Sequence, residues 1–319
     1  RDHYRFWHTT ATIATFGAAA AACLLLGLNR NQTVHALATS ATLAAGLQQA
    51  FRSEGMSKPI HAAHAAETGV MAAIAASKGL TGALDVLEGP AGMGAAMSGN
   101  ADWRKATSGL GEIYNIEAIT FKNHGCCGHT FAAIDGLLFI MQDAQITADD
   151  IANIAIATYG PAVSITDRAD PQTPQECKFS MQYVLAHAAH YGSVRIEAFE
   201  AKRMADPAIR TMLGQINLGI DPAVDAEFPA RRAAHVSVTT KDGRQLTHYQ
   251  PTRKGDPDLP LSDDELDAKF IELTRPVLGS ELTNNLLQNL WKLDDISLAT
   301  ALDFAVLRSD RMAGKHLPN

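Results

Sequence analysis

Residues 151–158 read Ile-Ala-Asn-Ile-Ala-Ile-Ala-Thr. Large and small side chains alternate along this run, the period-2 signature of a strand with one buried face. What flanks it is of two kinds. On the N-terminal side, Phe131–Gln145 carries helical periodicity and Tyr114–Phe121 (YNIEAITF) alternates like a second strand. On the C-terminal side, Lys178–Tyr191 and Asp206–Gly214 read as helices. His235–Thr240 and Gln245–Gln250 flank Lys241-Asp242-Gly243-Arg244, a hairpin with an Asp-Gly turn signal. Residues 112–258 are therefore expected to form an α+β domain.

Further out, helical patterns replace alternation. Phe16–Leu28 reads as one helix, Thr33 caps a second that runs to about Arg52, and Pro59 sits in the first turn of a third that ends near Ser77. A glycine-rich passage follows, with a short helix expected at Ala83–Leu87. Past the linker Pro251–Pro260 (PTRKGDPDLP), Ser262 and Glu265 make a capping box that opens a helix to about Thr274. Glu281–Trp291 and Ile296–Leu307 complete the series. The expected fold class is mainly α with an α+β domain: an all-helical domain built from both chain ends, residues 1–111 and 259–319, and an inserted α+β lid domain, residues 112–258.

Composition narrows the function. The 319 residues carry 27 Lys+Arg against 34 Asp+Glu, a formal net charge of −7. No basic face is suggested, so nucleic acid is not an expected partner. Hydrophobic residues make up 46% and charged residues 19%, the reverse of a disordered chain. Residues 11–28 are uncharged and reach the nominal length of a membrane span, but alanine and threonine dominate the first half. A buried helix and no membrane partner are expected. Four cysteines are too few for a disulfide scaffold, and no basic-then-apolar leader opens the sequence, so a reducing, cytoplasmic location is expected.

Three segments carry candidate chemistry. In Ser57-Lys58-Pro59-Ile60-His61-Ala62-Ala63-His64, the spacing puts Lys58, His61 and His64 on one side of a helix start. There, free N–H groups and the macrodipole attract anions. A plainer reading is a solvated lysine and two histidines packed on alanines. In Lys122-Asn123-His124-Gly125-Cys126-Cys127-Gly128-His129-Thr130, two His and two Cys invite a zinc or iron–sulfur reading. Vicinal cysteines fit one tetrahedral ion poorly and no second Cys pair exists, so the loop is expected to be metal-free and to present His129. A turn with buried thiols is the plainer reading. Lys178 and Ser180, in Cys177-Lys178-Phe179-Ser180, are read at a helix start that suits an anion. No dinucleotide fingerprint, Walker loop or nucleophile elbow is present.

Several segments together resemble the MmgE/PrpD family. They are Trp7-His8 through Thr15–Ala22, Leu25–Leu28, Ala45-Gly46-Leu47, Lys58–Ala66, Leu87-Glu88-Gly89, Gly128-His129-Thr130 with Ile134-Asp135-Gly136, Lys178-Phe179-Ser180 with Tyr183, and Pro260-Leu261-Ser262 with Lys269-Phe270. The sequence departs from the usual motif at Ala63, where glycine is common, and at Cys126-Cys127. The resemblance implies a cofactor-independent homodimeric enzyme acting on a small di- or tricarboxylate. Its members dehydrate 2-methylcitrate, decarboxylate cis-aconitate or epimerise iminodisuccinate. It also implies a helical portion ahead of Trp7-His8 that carries further site residues. Lys58 and His129 match family active-site positions. Lys58, His129 and His61 are the catalytic candidates, and His8, His64, Lys178 and Ser180 the candidates for holding substrate. No cofactor and no metal are expected. A 2-methylcitrate dehydratase-like lyase is the leading expectation, with epimerase, decarboxylase and an inactive dimerising protein as alternatives.

Overall fold

Alanine governs how the first part of the chain packs. In the computed structural model, which describes residues 2–51, 55–99 and 101–295, the helices Ala14–Leu25, Arg30–Thr42 and Lys58–Ser77 lie against one another. Their shared core is Ala22, Cys23, Ala36, Ala73 and Ala76, with Leu28 packed against it. Side chains this short contribute little apolar area each, so the backbones must approach closely to exclude water. Gly69 marks the closest approach: a Cβ there would lie 2.5 Å from both the Cβ of Ala18 and the backbone nitrogen of Ala19.

Local signals place the helix ends differently from the sequence expectation. The second helix starts at Arg30, not at Thr33, because Asn29 and Gln32 form a reciprocal capping box with hydrogen bonds of 3.0 and 3.1 Å. The Thr33 hydroxyl donates to the Asn29 carbonyl instead. This helix stops at Thr42, well short of Arg52. Residues 84–88 are turns, and the short helix forms at Met93–Met97 rather than at Ala83–Leu87. The uncharged stretch over residues 11–28 is interrupted near Ile13 and ends at Gly27, whose φ is +63°. No helix among the described residues is long and apolar enough to cross a membrane.

The strand Ile151–Thr158 (β1) forms as expected and anchors a four-stranded mixed sheet. Ile216–Ile220 (β2) runs parallel to it on one side. Ala234–Thr240 (β3) is antiparallel on the other, and Gln245–Gln250 (β4) completes the hairpin. The register slips between Ile151 and Asn153. Sequence reasoning named no strand at β2, a five-residue edge segment that includes a glycine. The helices Phe131–Asp143 and Met181–Tyr191 pack together, the first also on β3 and β4. Phe131, Ile134, Leu137, Ile154, Leu185 and Val236 are fully buried there.

Two expectations fail here for physical reasons. Tyr114–Phe121 is not a strand: Asn115–Ala118 is a 3-10 turn, and Ile113, Tyr114 and Ile116 are exposed, so their alternation serves no buried face. Lys178–Tyr191 is not one helix. It splits into Pro174–Lys178 and Met181–Tyr191, with Phe179 and Ser180 between them. The helix expected over Ile296–Leu307 lies outside the described residues. The class, mainly α with an α+β portion, holds.

Backbone packing divides the chain into one unit of Arg1–Glu117 with Pro161–Ser180 and another of Ala118–Gly160 with Met181–Asn319. These limits are not those drawn from composition. The helix Asp263–Leu278 counts with the second unit. Its Lys269 ammonium donates to the Lys122 carbonyl, its Glu265 pairs with Lys254, and Glu272 accepts from the Ile196 N–H.

Gly69→Ala weighs two effects against each other. Alanine gains about 1 kcal/mol of helix propensity, while overpacking costs about 1–3 kcal/mol. The obstacle is partly the Ala19 backbone, which has no rotamer to escape into. The clash therefore wins, and the variant is expected to unfold at lower urea concentration than the parent, monitored by circular dichroism.

Candidate active site

The helix Lys58–Ser77 opens with Pro59 in its first turn, which leaves Lys58 and His61 at its N-terminal end. His61 Nδ1 lies 2.9 Å from His8 Nδ1, with the rings 5.1 Å apart and tilted by 44°. One nitrogen must carry the proton and the other accept it. His8 is held in place by its backbone, whose N–H donates to the Gly46 carbonyl at 2.9 Å, next to a bridge between Trp7 and Leu47. Gly46 is needed twice over. Its φ is +142°, and a Cβ there would collide with Ala11 and touch the His61 ring at 3.6 Å. Burial, then His61, then Lys58 lower the His8 pKa from 6.5 to about 4. His8 is therefore a neutral imidazole at pH 7.

Phe179 brings cations to the same unit. Lys58 Nζ stands 5.0 Å from the centre of its ring and the Arg168 guanidinium carbon 5.8 Å. The Ser180 hydroxyl, fully buried, donates to the Arg168 carbonyl at 2.6 Å. The expected helix start at Cys177–Ser180 is thus a buried break that fixes Phe179 beside both cations. Lys178 is the last residue of a five-residue helix and half-buried, so it does not sit at a helix N-terminus. His64 Nε2 lies 3.3 Å from the Leu43 carbonyl, and its Nδ1 3.5 Å from the Thr68 hydroxyl. Both contacts tie it to helix packing.

In the second unit, His129 Nδ1 is 2.8 Å from the Tyr159 hydroxyl. Tyr159 is 1% exposed and stacks on Phe228 at 4.7 Å and 14°. It directly follows β1, at the carboxyl end of a strand whose neighbour β2 is parallel, where open α/β sheets place functional groups. The residue type and that position were the available signal for Tyr159, which sequence reasoning did not use. For Phe228 and Arg168, distant in sequence from their partners, no signal was available.

The cysteine loop is a packing device. Cys126 Sγ is 3.2 Å from the Thr130 hydroxyl, which donates to the Cys127 carbonyl at 2.8 Å. Burial pushes the Cys126 thiol up to about 12, so it stays protonated and unreactive at neutral pH. His124 Nε2–H donates to Asp135, which also accepts the Lys254 N–H at 2.8 Å. Among the described residues, no group of three or more His, Cys, Asp or Glu is placed to hold a metal ion.

Residues 124–293 match the model of the MmgE/PrpD C-terminal domain, and residues 1–106 match that of the MmgE/PrpD N-terminal domain. The chain is similar to the cis-aconitate decarboxylase of Mus musculus, 26% identical over 310 residues, or 95% of this chain and 62% of that protein. Against the cis-aconitate decarboxylase of Homo sapiens it is 27% identical over 94% of this chain and 63% of that protein. Against the 2-methylcitrate dehydratase of Cupriavidus necator it is 32% identical over 105 residues, 31% of this chain and 22% of that protein. The chain thus spans less than two thirds of the length of each of these relatives.

The His8 environment has a measurable consequence. Its folded pKa lies below the unfolded value, so between pH 6.5 and about 4 the unfolded chain holds a proton that the folded chain does not. Stability present above pH 6.5 is expected to be lost as the pH falls toward 4, read as a falling urea midpoint. Histidine-resolved NMR should place the His8 midpoint near pH 4, and Lys58→Met should raise it. A His8 midpoint near 6.5 in the parent protein would contradict the arrangement.

Proposed function

Since the chain belongs to the MmgE/PrpD family, we propose that it forms part of a lyase acting on a small di- or tricarboxylate, with chemistry like that of 2-methylcitrate dehydratase. The observation that carries the site is the His8–His61 pair beside Lys58. Dehydration breaks a C–H bond next to a carboxylate and a C–O bond on the neighbouring carbon, and a double bond forms as water leaves. It needs a base for the first proton, an acid for the departing hydroxyl, and cations to neutralise the carboxylates. When its Nδ1–H donates to His61 Nδ1, a neutral His8 keeps its lone pair on Nε2, where it can act as a base. With a pKa of about 4, lowered by burial first and then by His61 and Lys58, it is a weak base before substrate arrives. A substrate carboxylate docked at Lys58 offsets that repulsion and strengthens the base when it is needed. Lys58 takes the carboxylate-holding role with Arg168 as a second cation. His129, positioned by its hydrogen bond with the Tyr159 hydroxyl, is the candidate acid of the second unit.

Cis-aconitate decarboxylation is the second reading. It is favoured by relatives so named that align over about 95% of the chain, whereas the dehydratase alignment covers 31%. In that reaction the bond to one carboxylate breaks, carbon dioxide leaves, and an acid supplies a proton to the carbon chain. The same cations and histidines serve it. We further propose a homodimer, since Leu24 and Leu25 on the first unit are more than four-fifths exposed. The cytoplasm is the proposed location, since the four cysteines are buried thiols rather than disulfides.

Purified protein given 2-methylcitrate, citrate or cis-aconitate without added metal or nucleotide should form or consume a conjugated double bond, followed by ultraviolet absorbance. Lys58→Ala and His129→Ala should each lower kcat/KM by about 10²–10⁴ with circular dichroism unchanged. Carbon dioxide release from cis-aconitate, with no water loss from 2-methylcitrate, selects the decarboxylase. Undiminished activity in both variants removes the assigned site.

A further inference from the structure

Within the second unit, an open pocket of ≈ 270 Å³ lies between the segment Lys122–Cys126, Arg195–Ile196 and the helix Asp263–Leu278. None of the residues assigned above to substrate or proton transfer lines it. Three cationic side chains, Lys122, Arg195 and Lys269, face one carboxylate, Glu272. Arg195 pairs with Glu272 at 3.6 Å and donates through Nη2 to Asn123 at 3.2 Å, but its Nη1 is buried with no hydrogen-bond partner. A buried donor left unsatisfied costs free energy, and an acceptor group would supply the partner that Nη1 lacks.

We propose that this pocket binds a small oxyanion, a phosphate or carboxylate group, held by Arg195 and Lys269. The guanidinium keeps one unpartnered nitrogen, Nη1, and its planar fork suits either oxyanion. Lys269 donates one of its three protons to the Lys122 carbonyl and retains two. Its ammonium is also held below the usual lysine range, by burial first and then by Arg195 and Lys122, with Glu272 opposing. An incoming negative charge offsets the repulsion from Arg195 and Lys122. The Gly125 N–H donates to the Val194 carbonyl at 2.8 Å, which pins the two loops on either side of the site before anything binds. The volume lies at the lower limit of small-ligand pockets, about 300–1,000 Å³, so the ligand is an inorganic phosphate or a short dicarboxylate rather than a nucleotide.

Isothermal titration of the whole chain with inorganic phosphate, and separately with succinate, tests the proposal and distinguishes the two oxyanions. Saturable binding of at least one is expected. Arg195→Gln and Lys269→Gln should each weaken it tenfold or more, while Lys58→Ala leaves it within twofold of the parent. Circular dichroism checks folding, and either pocket variant that folds is enough to decide. The proposal is overturned if neither ion binds the parent saturably. It is equally overturned if a folded pocket variant binds as the parent does, or if Lys58→Ala abolishes binding, which would put the anion at the other cluster.

Discussion

Close approach of backbones is the constraint on which the first unit depends. Helices that meet through alanine bury little apolar area per residue, so stability must come from density of packing rather than from large side chains. Gly69 permits that density between two helices, and Gly46 permits it where the chain folds back under His61. The second of these positions is where packing becomes chemistry. Because the Gly46 segment lies so near, the His8 backbone is anchored and its ring is delivered to His61 at hydrogen-bond distance. A side chain at residue 46 would displace the ring and separate the pair.

Electrostatics then acts on what packing has placed. His8 is partly removed from water and set beside two groups that disfavour another positive charge, so it holds a lone pair at neutral pH. Lys58 and Arg168 both stand over the Phe179 ring, which holds two cations against one aromatic face. The second unit repeats the logic with different parts: a histidine fixed by a tyrosine, and elsewhere an arginine and a lysine sharing one glutamate.

Several residues of the family-like motifs turn out to hold the scaffold. Asp135 accepts hydrogen bonds from His124 and from the Lys254 backbone, joining a helix to the loop before Ser262. Gly136 lets that helix close on β3, since a Cβ there would stand 2.8 Å from Val236. Lys269 binds a carbonyl across 147 residues of sequence. Motif membership alone did not show these contacts; the structure does.

Local rules were enough for much of the fold. The alternation over 151–158, the Asp-Gly hairpin and the Ser262–Glu265 capping box each depend on neighbours within a few residues, and each appears in the structure. The positions of Lys58 and His61 at a helix start follow from Pro59 for the same reason. Tertiary contacts decided the rest. Tyr114–Phe121 alternates yet finds no strand to pair with, and a helix expected to run unbroken through Phe179 is opened there with Ser180 bonded to Arg168. The His8–His61 pair, the Tyr159 partner of His129 and the two cations at Phe179 join residues far apart in sequence. Hydrogen-bond periodicity and capping are read within one turn of chain, whereas burial, desolvation and charge proximity exist only after distant segments have packed.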